Sequence, residues 1–169
     1  MKVGIVSDTH DNVAAVAAAV AALRERDVEF VLHAGDVTRP SALAPFADLR
    51  VPGALAFGNN DDDREGLGRA ARAIGWEAGD SWAGEVGGLS VAVAHGDVLA
   101  IVRGLISACP DILVTGHSHR MADELTIVGT RRINPGALHR APVYSVAVLD
   151  TASGALERIV LPKTPRGPS

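Results

Sequence analysis

The sequence has too few cysteines for a disulfide framework and no excess of positive charge. Its 169 residues include one cysteine, Cys109, so an intrachain disulfide cannot form and a zinc site built from several thiolates is excluded. The 16 Lys and Arg residues are outnumbered by 20 Asp and Glu residues, and the formal net charge is −4. We therefore expect no bulk binding of nucleic acid, which requires a basic surface.

Long apolar runs are also absent. No stretch of 18 uncharged apolar residues occurs, and Asp8, His10 and Asp11 interrupt the first apolar run, so neither a membrane span nor a secretory leader is predicted. We expect a cytoplasmic protein without a membrane partner. Because 47% of the residues are hydrophobic, the chain can bury a core of its own. We predict one domain over residues 1–162 and a flexible tail over residues 163–169.

The order of predicted elements changes near the middle of the chain. Apolar runs that begin at Val3, Phe30 and Ala54 alternate with helical patterns over residues 11–26, 41–49 and 63–74. After Gly75, residues 77–86 and 89–94 alternate around the turn signal Gly87-Gly88, which predicts a hairpin. A helix over residues 98–108 is followed by strands to residue 161. This order predicts an α/β fold with a pair of mixed sheets and helices outside.

Residues that can bind metal ions stand at the ends of five predicted strands. They are Asp8 and His10, then Asp36, Asn59, His95, and finally His117 and His119. Such strand ends are where open α/β sheets keep their sites. Residues two apart share one face of a strand, so Asp8 and His10 converge if the chain stays extended through Thr9. A glycine precedes Asp36, Asn59 and His117, and glycine lets the backbone approach a charged centre closely.

The number and type of these side chains indicate the kind of site. Seven nitrogen and oxygen ligands are too many for one tetrahedral ion and suit two ions that share a bridging carboxylate. Closed structural zinc sites are usually rich in cysteine, which this set lacks. An open two-ion site indicates a hydrolase.

These motifs resemble the five ordered motifs of the calcineurin-like metallophosphoesterases. The motifs are Asp8-Thr-His10, Gly35-Asp36, Gly58-Asn-Asn-Asp61, His95-Gly96 and Gly116-His-Ser-His119. The length, the opening residues and the closing Asn134-Pro-Gly136 are similar to the small YfcE-like phosphodiesterase branch, and the resemblance covers about residues 2–161. It implies a four-layer α/β/β/α sandwich of two mixed β-sheets flanked by helices.

The resemblance also implies a role for each matching residue. One ion would be held by Asp8, His10, Asp36 and His119, and the other by Asp36, Asn59, His95 and His117. The ions would be divalent transition metals, with manganese favoured and iron, zinc, nickel and cobalt open. A hydroxide bridging them would attack a small or nucleotide-like phosphodiester in line, with Asp36, Asn59 and His95 as the catalytic residues.

One position departs from the pattern, since many family members have a histidine where this chain has Asn60. An asparagine donates a hydrogen bond but cannot supply a proton, so we expect a preference for good leaving groups. His139 is either the missing acid or a solvated loop residue. His33 either hydrogen-bonds a ligand or is simply buried. Arg140 either binds a substrate phosphate or is solvated.

Two other functions fit the same sequence. A phosphomonoesterase would use the same site. A non-catalytic scaffold, as in the small subunit of retromer, would share the fold without needing the ligands; the complete ligand set favours the enzyme. The apolar hairpin region over residues 76–91 offers a surface for a homo-oligomer.

Overall fold

The computed structural model describes residues 1–163. The strands, numbered β1 to β11, span Lys2–Val6, Phe30–His33, Gly53–Ala56, Trp76–Gly79, Ser81–Val86, Leu89–Ala94, Ile112–Val114, Ala122–Leu125, Arg131–Asn134, Tyr144–Asp150 and Leu156–Leu161. The helices α1, α2 and α3 span Val13–Arg24, Arg64–Ala73 and Leu99–Ser107, and a 3₁₀ helix spans Pro40–Leu49. Apart from Lys163, the predicted tail lies outside the described residues.

The strands form two mixed sheets. The first has the order β11-β10-β1-β2-β3-β4, in which β1 to β4 are parallel and β10 and β11 are antiparallel to their neighbours. The second has the order β5-β6-β7-β9-β8, with β6, β7 and β9 parallel and an antiparallel strand at each edge. The predicted pair of mixed sheets is confirmed.

Three apolar clusters define the layers. The largest joins one face of the first sheet to α1, α2 and the 3₁₀ helix, with Leu23, Phe46 and Leu67 fully buried. A second cluster lies between the sheets, where Ile5 and Leu32 meet Val93 and Val114. A third, smaller cluster packs α3 on the outer face of the second sheet. The layer order is therefore α/β/β/α, as the resemblance implies.

Local chemistry explains where the helices begin. The Asn12 side chain accepts a hydrogen bond from the Ala15 N–H at 3.3 Å and caps α1, and Asp63 caps α2 through the Gly66 N–H at 2.9 Å. The segment predicted as a second short helix is a 3₁₀ helix. Its interior Pro45 has no N–H to donate, which disfavours a regular α-helix there.

The prediction of one continuous strand over residues 77–86 is wrong. The chain breaks at Asp80, so that β4 lies in the first sheet and β5 in the second. The two tryptophans of this region pack inward: Trp76 lies 5.1 Å from the Phe46 ring and Trp82 lies 5.9 Å from the Phe30 ring, between ring centroids. Within residues 1–163, none of the helices combines the length and hydropathy needed to cross a bilayer.

Candidate metal centre

The loops that follow β1, β2 and β3 of the first sheet meet those that follow β6 and β7 of the second. All seven side chains predicted as ligands lie at this junction. The Nε2 atom of His95 is 3.4 Å from Asp36 Oδ2 and 3.2 Å from Asn59 Oδ1. The Nε2 atoms of His10 and His119 lie 3.7 Å from Asp36 Oδ2 and 3.1 Å from Asp8 Oδ1, and the His117 ring stands 5.1 Å from that of His95, edge to face.

The backbone is left-handed at five of these seven positions. The φ angles are +51° at Asp8, +46° at His10, +58° at Asp36, +63° at His117 and +57° at His119. Non-glycine residues seldom adopt this conformation, and such strain clusters at functional sites. The chain does not stay extended through Thr9, because β1 ends at Val6. Asp8 and His10 instead converge through a tight turn.

Two groups of these side chains place one donor atom each within 4.8 Å of one another: Asp8, His10 and His119 form one, and Asp8, Asp36 and His95 form the other. In addition, Asp36 Oδ2 lies within 3.7 Å of the Nε2 atoms of both His10 and His95. A carboxylate in that position can contact two ions at once. The donors are imidazole nitrogens and carboxylate or amide oxygens, a set that suits transition-metal ions.

One buried carboxylate oxygen is suited to bind a cation. Asp8 Oδ1 is fully buried and has no hydrogen-bond partner among the described residues, although His119 Nε2 lies 3.1 Å away. Buried carboxylate oxygens are normally satisfied. The other oxygen, Oδ2, accepts from the Ser7 hydroxyl at 2.5 Å and from the His117 N–H at 3.1 Å. The residues present therefore fit a divalent ion bound at Oδ1.

Two glycines leave room for the carboxylates of the site because they have no Cβ. A Cβ at Gly58 would lie 2.2 Å from Asp36 Oδ1, and one at Gly116 would lie 1.8 Å from Ser7 Oγ and 2.7 Å from Asp8 Oδ2. Any other residue would displace these groups. The close approach predicted for these glycines is confirmed.

Asp36 and His95 stabilise each other's charged forms. Burial opposes protonation of His95, but the hydrogen bonds to Asp36 and to the Ala34 carbonyl outweigh it and raise the pKa of His95 to about 9. Burial likewise opposes ionisation of Asp36, yet hydrogen bonds from His95 and Asn60 hold its pKa well below the usual range. The Nδ1–H of His95 donates to the Ala34 carbonyl at 2.7 Å, which leaves Nε2 facing Asp36.

Buried residues outside the ligand set hold the loops in place. Asp61 accepts hydrogen bonds from the N–H groups of Asp36, Gly58 and Thr38 at 3.0, 2.7 and 2.7 Å. Asp61 thereby joins the loop after β2 to the loop after β3. Asn134 donates to the Gly116 carbonyl at 2.8 Å. This contact was not predicted, and the only signal for it was the motif Asn134-Pro-Gly136.

His33 lies beneath the site and is fully buried. Its Nδ1 accepts from the Gly35 N–H at 3.2 Å, so Nε2 carries the proton and donates to Thr9 Oγ1 at 3.1 Å. Burial lowers the pKa of His33 to about 3, and the ring is therefore neutral. The side chain is both buried and hydrogen-bonded, but its partners are loop residues next to the ligands.

The remaining candidates lie around the rim. His139 is half-buried, and its ring centroid is 4.2 Å from that of His10. Asn60 is held by Asp36, to which it donates through both its backbone and its side chain. Arg140 is exposed, with a φ of +45°.

Known proteins resemble this chain over nearly its whole length. Phosphodiesterase MJ0936 of Methanocaldococcus jannaschii is 30% identical over 167 residues, covering 95% of this chain and 99% of its own. The structure of an archaeal phosphodiesterase superposes with a TM-score of 0.88 at 28% identity, covering 95% of this chain and 100% of that one. The Vps29 protein of Entamoeba histolytica, as a single mutant, shares the fold with a TM-score of 0.64 at 18% identity, covering 96% of this chain and 100% of its own.

A protein-family model also matches this chain. The calcineurin-like phosphoesterase superfamily domain matches residues 1–154, which include every candidate ligand. Together with the relative that is 30% identical and matched over nearly its full length, this match shows that the chain belongs to the calcineurin-like phosphoesterase superfamily.

Proposed function

We propose that this protein is a two-metal phosphodiesterase that hydrolyses a small or nucleotide-like diester. The observation that carries the proposal is that Asp36 Oδ2 lies 3.7 Å from His10 Nε2 and 3.4 Å from His95 Nε2, so that one carboxylate adjoins histidines from two different loops. The relatives named as phosphodiesterases support the choice of a diester.

The proposed metal ligands form two sets that share Asp36. We propose that one ion is held by Asp8, His10, Asp36 and His119, and the other by Asp36, Asn59, His95 and His117. Manganese is the first candidate, and iron, zinc, nickel and cobalt accept the same donors. When bound, two such ions neutralise phosphate charge and lower the pKa of a bound water.

The protein's own residues hold this arrangement in place. Asp61 ties the loop after β2 to the loop after β3, and Ser7 orients Asp8 through its 2.5 Å hydrogen bond. Asn60 orients Asp36 and has no proton to give to a leaving alkoxide. We therefore propose that esters with good leaving groups are preferred, and that His139 is the candidate acid for the others. Arg140 is a further candidate for contact with the substrate phosphate.

The test uses protein stripped of metal with a chelator. We expect hydrolysis of bis(p-nitrophenyl) phosphate to return when manganese is added, with two ions bound per chain, and to be lost in Asp36→Asn. Asp62→Asn is the matched control, because Asp62 is exposed and belongs to the same acidic run as Asp61. Two bound ions without hydrolysis would favour the scaffold, and hydrolysis confined to monoesters would favour a phosphomonoesterase. Absence of metal binding would refute the metal assignment.

Three further expectations remain predictions. They are the single domain over residues 1–162, the cytoplasmic location and self-association through residues 76–91.

A further inference from the structure

A pocket of about 170 Å³ opens beside the candidate ligand His95. We call it the His95 pocket, and its side walls are lined by Phe57, Arg64, Asp80, Asp97, Val98 and Ile101. These residues come from the loop after β3, from α2, from the link between β4 and β5, and from the segment before α3 together with the first turn of α3. None of them is a proposed metal ligand. His95 itself also lines the pocket, which therefore adjoins the metal centre through one of its proposed ligands.

The pocket combines an aromatic wall with an apolar one. The guanidinium carbon of Arg64 lies 5.7 Å from the centre of the Phe57 ring, and Arg64 is held by an ion pair with Asp80 at 2.5 Å. Val98 and Ile101, near the start of α3, add aliphatic surface. An aromatic ring and a planar guanidinium group both stack on flat rings. A volume of about 170 Å³ is close to the roughly 150 Å³ of an engineered cavity that binds benzene.

The charges of the pocket restrict what the ring can carry. Asp97 is half-buried and makes no hydrogen bond or ion pair with any residue of the described range 1–163, whereas Asp80 is neutralised by Arg64. An ionised carboxylate only accepts hydrogen bonds. It therefore favours an N–H donor on the ligand, and it repels a carbonyl oxygen or a second phosphate at the same place.

We propose that the His95 pocket binds the ring of the ester substituent on the substrate, and that this ring is a heteroaromatic one with an amino group facing Asp97. The adenine of an adenosine ester has this chemistry, whereas hypoxanthine presents a carbonyl in place of the amino group. The proposal rests on the phosphodiesterase function, and it assigns the choice of substrate to Phe57, Asp97 and Ile101.

The test measures binding of three phosphate monoesters to the full chain loaded with manganese. The probes are adenosine 5′-monophosphate, inosine 5′-monophosphate and methyl phosphate, and dissociation constants are measured by calorimetric titration. We expect the adenosine ester to bind about tenfold more tightly than methyl phosphate, because its ring buries apolar surface in the pocket. We also expect it to bind more tightly than the inosine ester.

Variants separate the pocket from the metal centre. Ile101→Trp fills the pocket, and the affinities for the adenosine ester and for methyl phosphate should then become about equal. Val98→Trp, at a position that is 44% exposed, is a second filling variant in case the first does not fold. Arg103→Trp places the same side chain on an exposed part of α3 outside the pocket and should keep the difference in affinity. Asp97→Asn should remove the preference for adenosine over inosine.

The outcomes distinguish this proposal from the function on which it rests. Equal binding of the adenosine ester and methyl phosphate by the unaltered protein, or a preference that survives both filling variants, would overturn the ring pocket. A preference for adenosine that survives Asp97→Asn would overturn the role of Asp97. If the unaltered protein prefers the adenosine ester in binding but hydrolyses no phosphodiester, only the phosphodiesterase function is refuted. The ring pocket would stand, because its test measures binding.

Discussion

Asn60 donates two hydrogen bonds to Asp36, from its backbone N–H to Oδ1 at 2.9 Å and from its side-chain amide to Oδ2 at 2.7 Å. Both oxygens of the proposed bridging carboxylate are thus oriented by one residue. This contact gives Asn60 a positioning role in the candidate site.

Replacing Asn60 by alanine should weaken metal binding. The backbone hydrogen bond remains, but Asp36 loses the one that orients Oδ2. Partners of this kind change metal affinity by about 10- to 100-fold when removed, so we expect a loss of about tenfold. Calorimetric titration with manganese measures it, with Asp62→Ala as the control on the same loop. An unchanged affinity would show that the side chain of Asn60 does not orient the ligand.

Replacing His139 tests its proposed role as an acid. His139→Ala removes both the ring that packs 4.2 Å from His10 and any proton it donates, whereas His139→Phe keeps a ring. We expect both variants to lower kcat for an alkyl diester, by about 10²- to 10⁴-fold, and to change kcat for bis(p-nitrophenyl) phosphate much less. If His139→Phe turns over the alkyl diester normally and His139→Ala does not, the His139 ring has only a packing role. If both variants turn it over normally, His139 has no part in the mechanism.

Gly116→Ala should abolish activity without unfolding the outer helices. The added Cβ would lie 1.8 Å from Ser7 Oγ and 2.7 Å from Asp8 Oδ2, so the hydrogen bond between Ser7 and Asp8 must break. Gly104→Ala in α3 is the control, because its Cβ would meet nothing within 4 Å. Alanine there favours the helix by about 0.5–1 kcal/mol. Hydrolysis of bis(p-nitrophenyl) phosphate, manganese titration and circular dichroism compare the two. Full activity and metal binding by Gly116→Ala would contradict the predicted clash.

Asp61→Ala should destabilise the fold. It leaves the N–H groups of Asp36, Gly58 and Thr38 without their acceptor, and the first two lie in a buried part of the site. A buried donor left unsatisfied costs about 1–3 kcal/mol, so we expect a loss of about 3 kcal/mol in total. Denaturant unfolding measures the loss. Asp62→Ala, at an exposed position, should change stability by less than about 0.5 kcal/mol.

His33 should make the metal-free protein sensitive to acid. Its folded pKa is about 3 and its ordinary value is 6.5. Below pH 6.5 the unfolded chain therefore binds a proton that the folded chain does not. Stability is fully present above pH 6.5 and is lost as the pH falls toward 3, by about 1.4 kcal/mol per pH unit.

The matched variant for this effect is His33→Gln, which keeps a polar side chain but does not titrate. We expect it to be less stable than the parent protein at pH 8 and to show a shallower loss between pH 6 and about 4.5. Urea unfolding at several pH values gives both slopes. Equal slopes would mean that other groups carry the acid sensitivity.

Local patterns predicted the parts of this protein that depend on neighbouring residues. Alternating and helical apolar spacing placed most of the strands and helices, because burial of one face follows the periodicity of the backbone. The break at Asp80 escaped prediction, since alternation continues across it while the strand changes sheets. The 3₁₀ helix escaped as well, although Pro45 was visible inside it.

The sequence by itself determined the chemistry of the candidate site. The types of the candidate ligands, and their places at the ends of predicted strands, can be read directly from the order of residues. Only the tertiary structure decided the left-handed turns at Asp8 and His10, the three backbone hydrogen bonds accepted by Asp61, and the pocket between Phe57 and Ile101. Most of these features depend on residues that lie far apart in the chain, and the turns at Asp8 and His10 are held by the Gly35 and Asp36 carbonyls. The contacts of Asp61 form where β2 and β3 lie side by side in one sheet, and the pocket forms where the two sheets meet. No local spacing encodes either event.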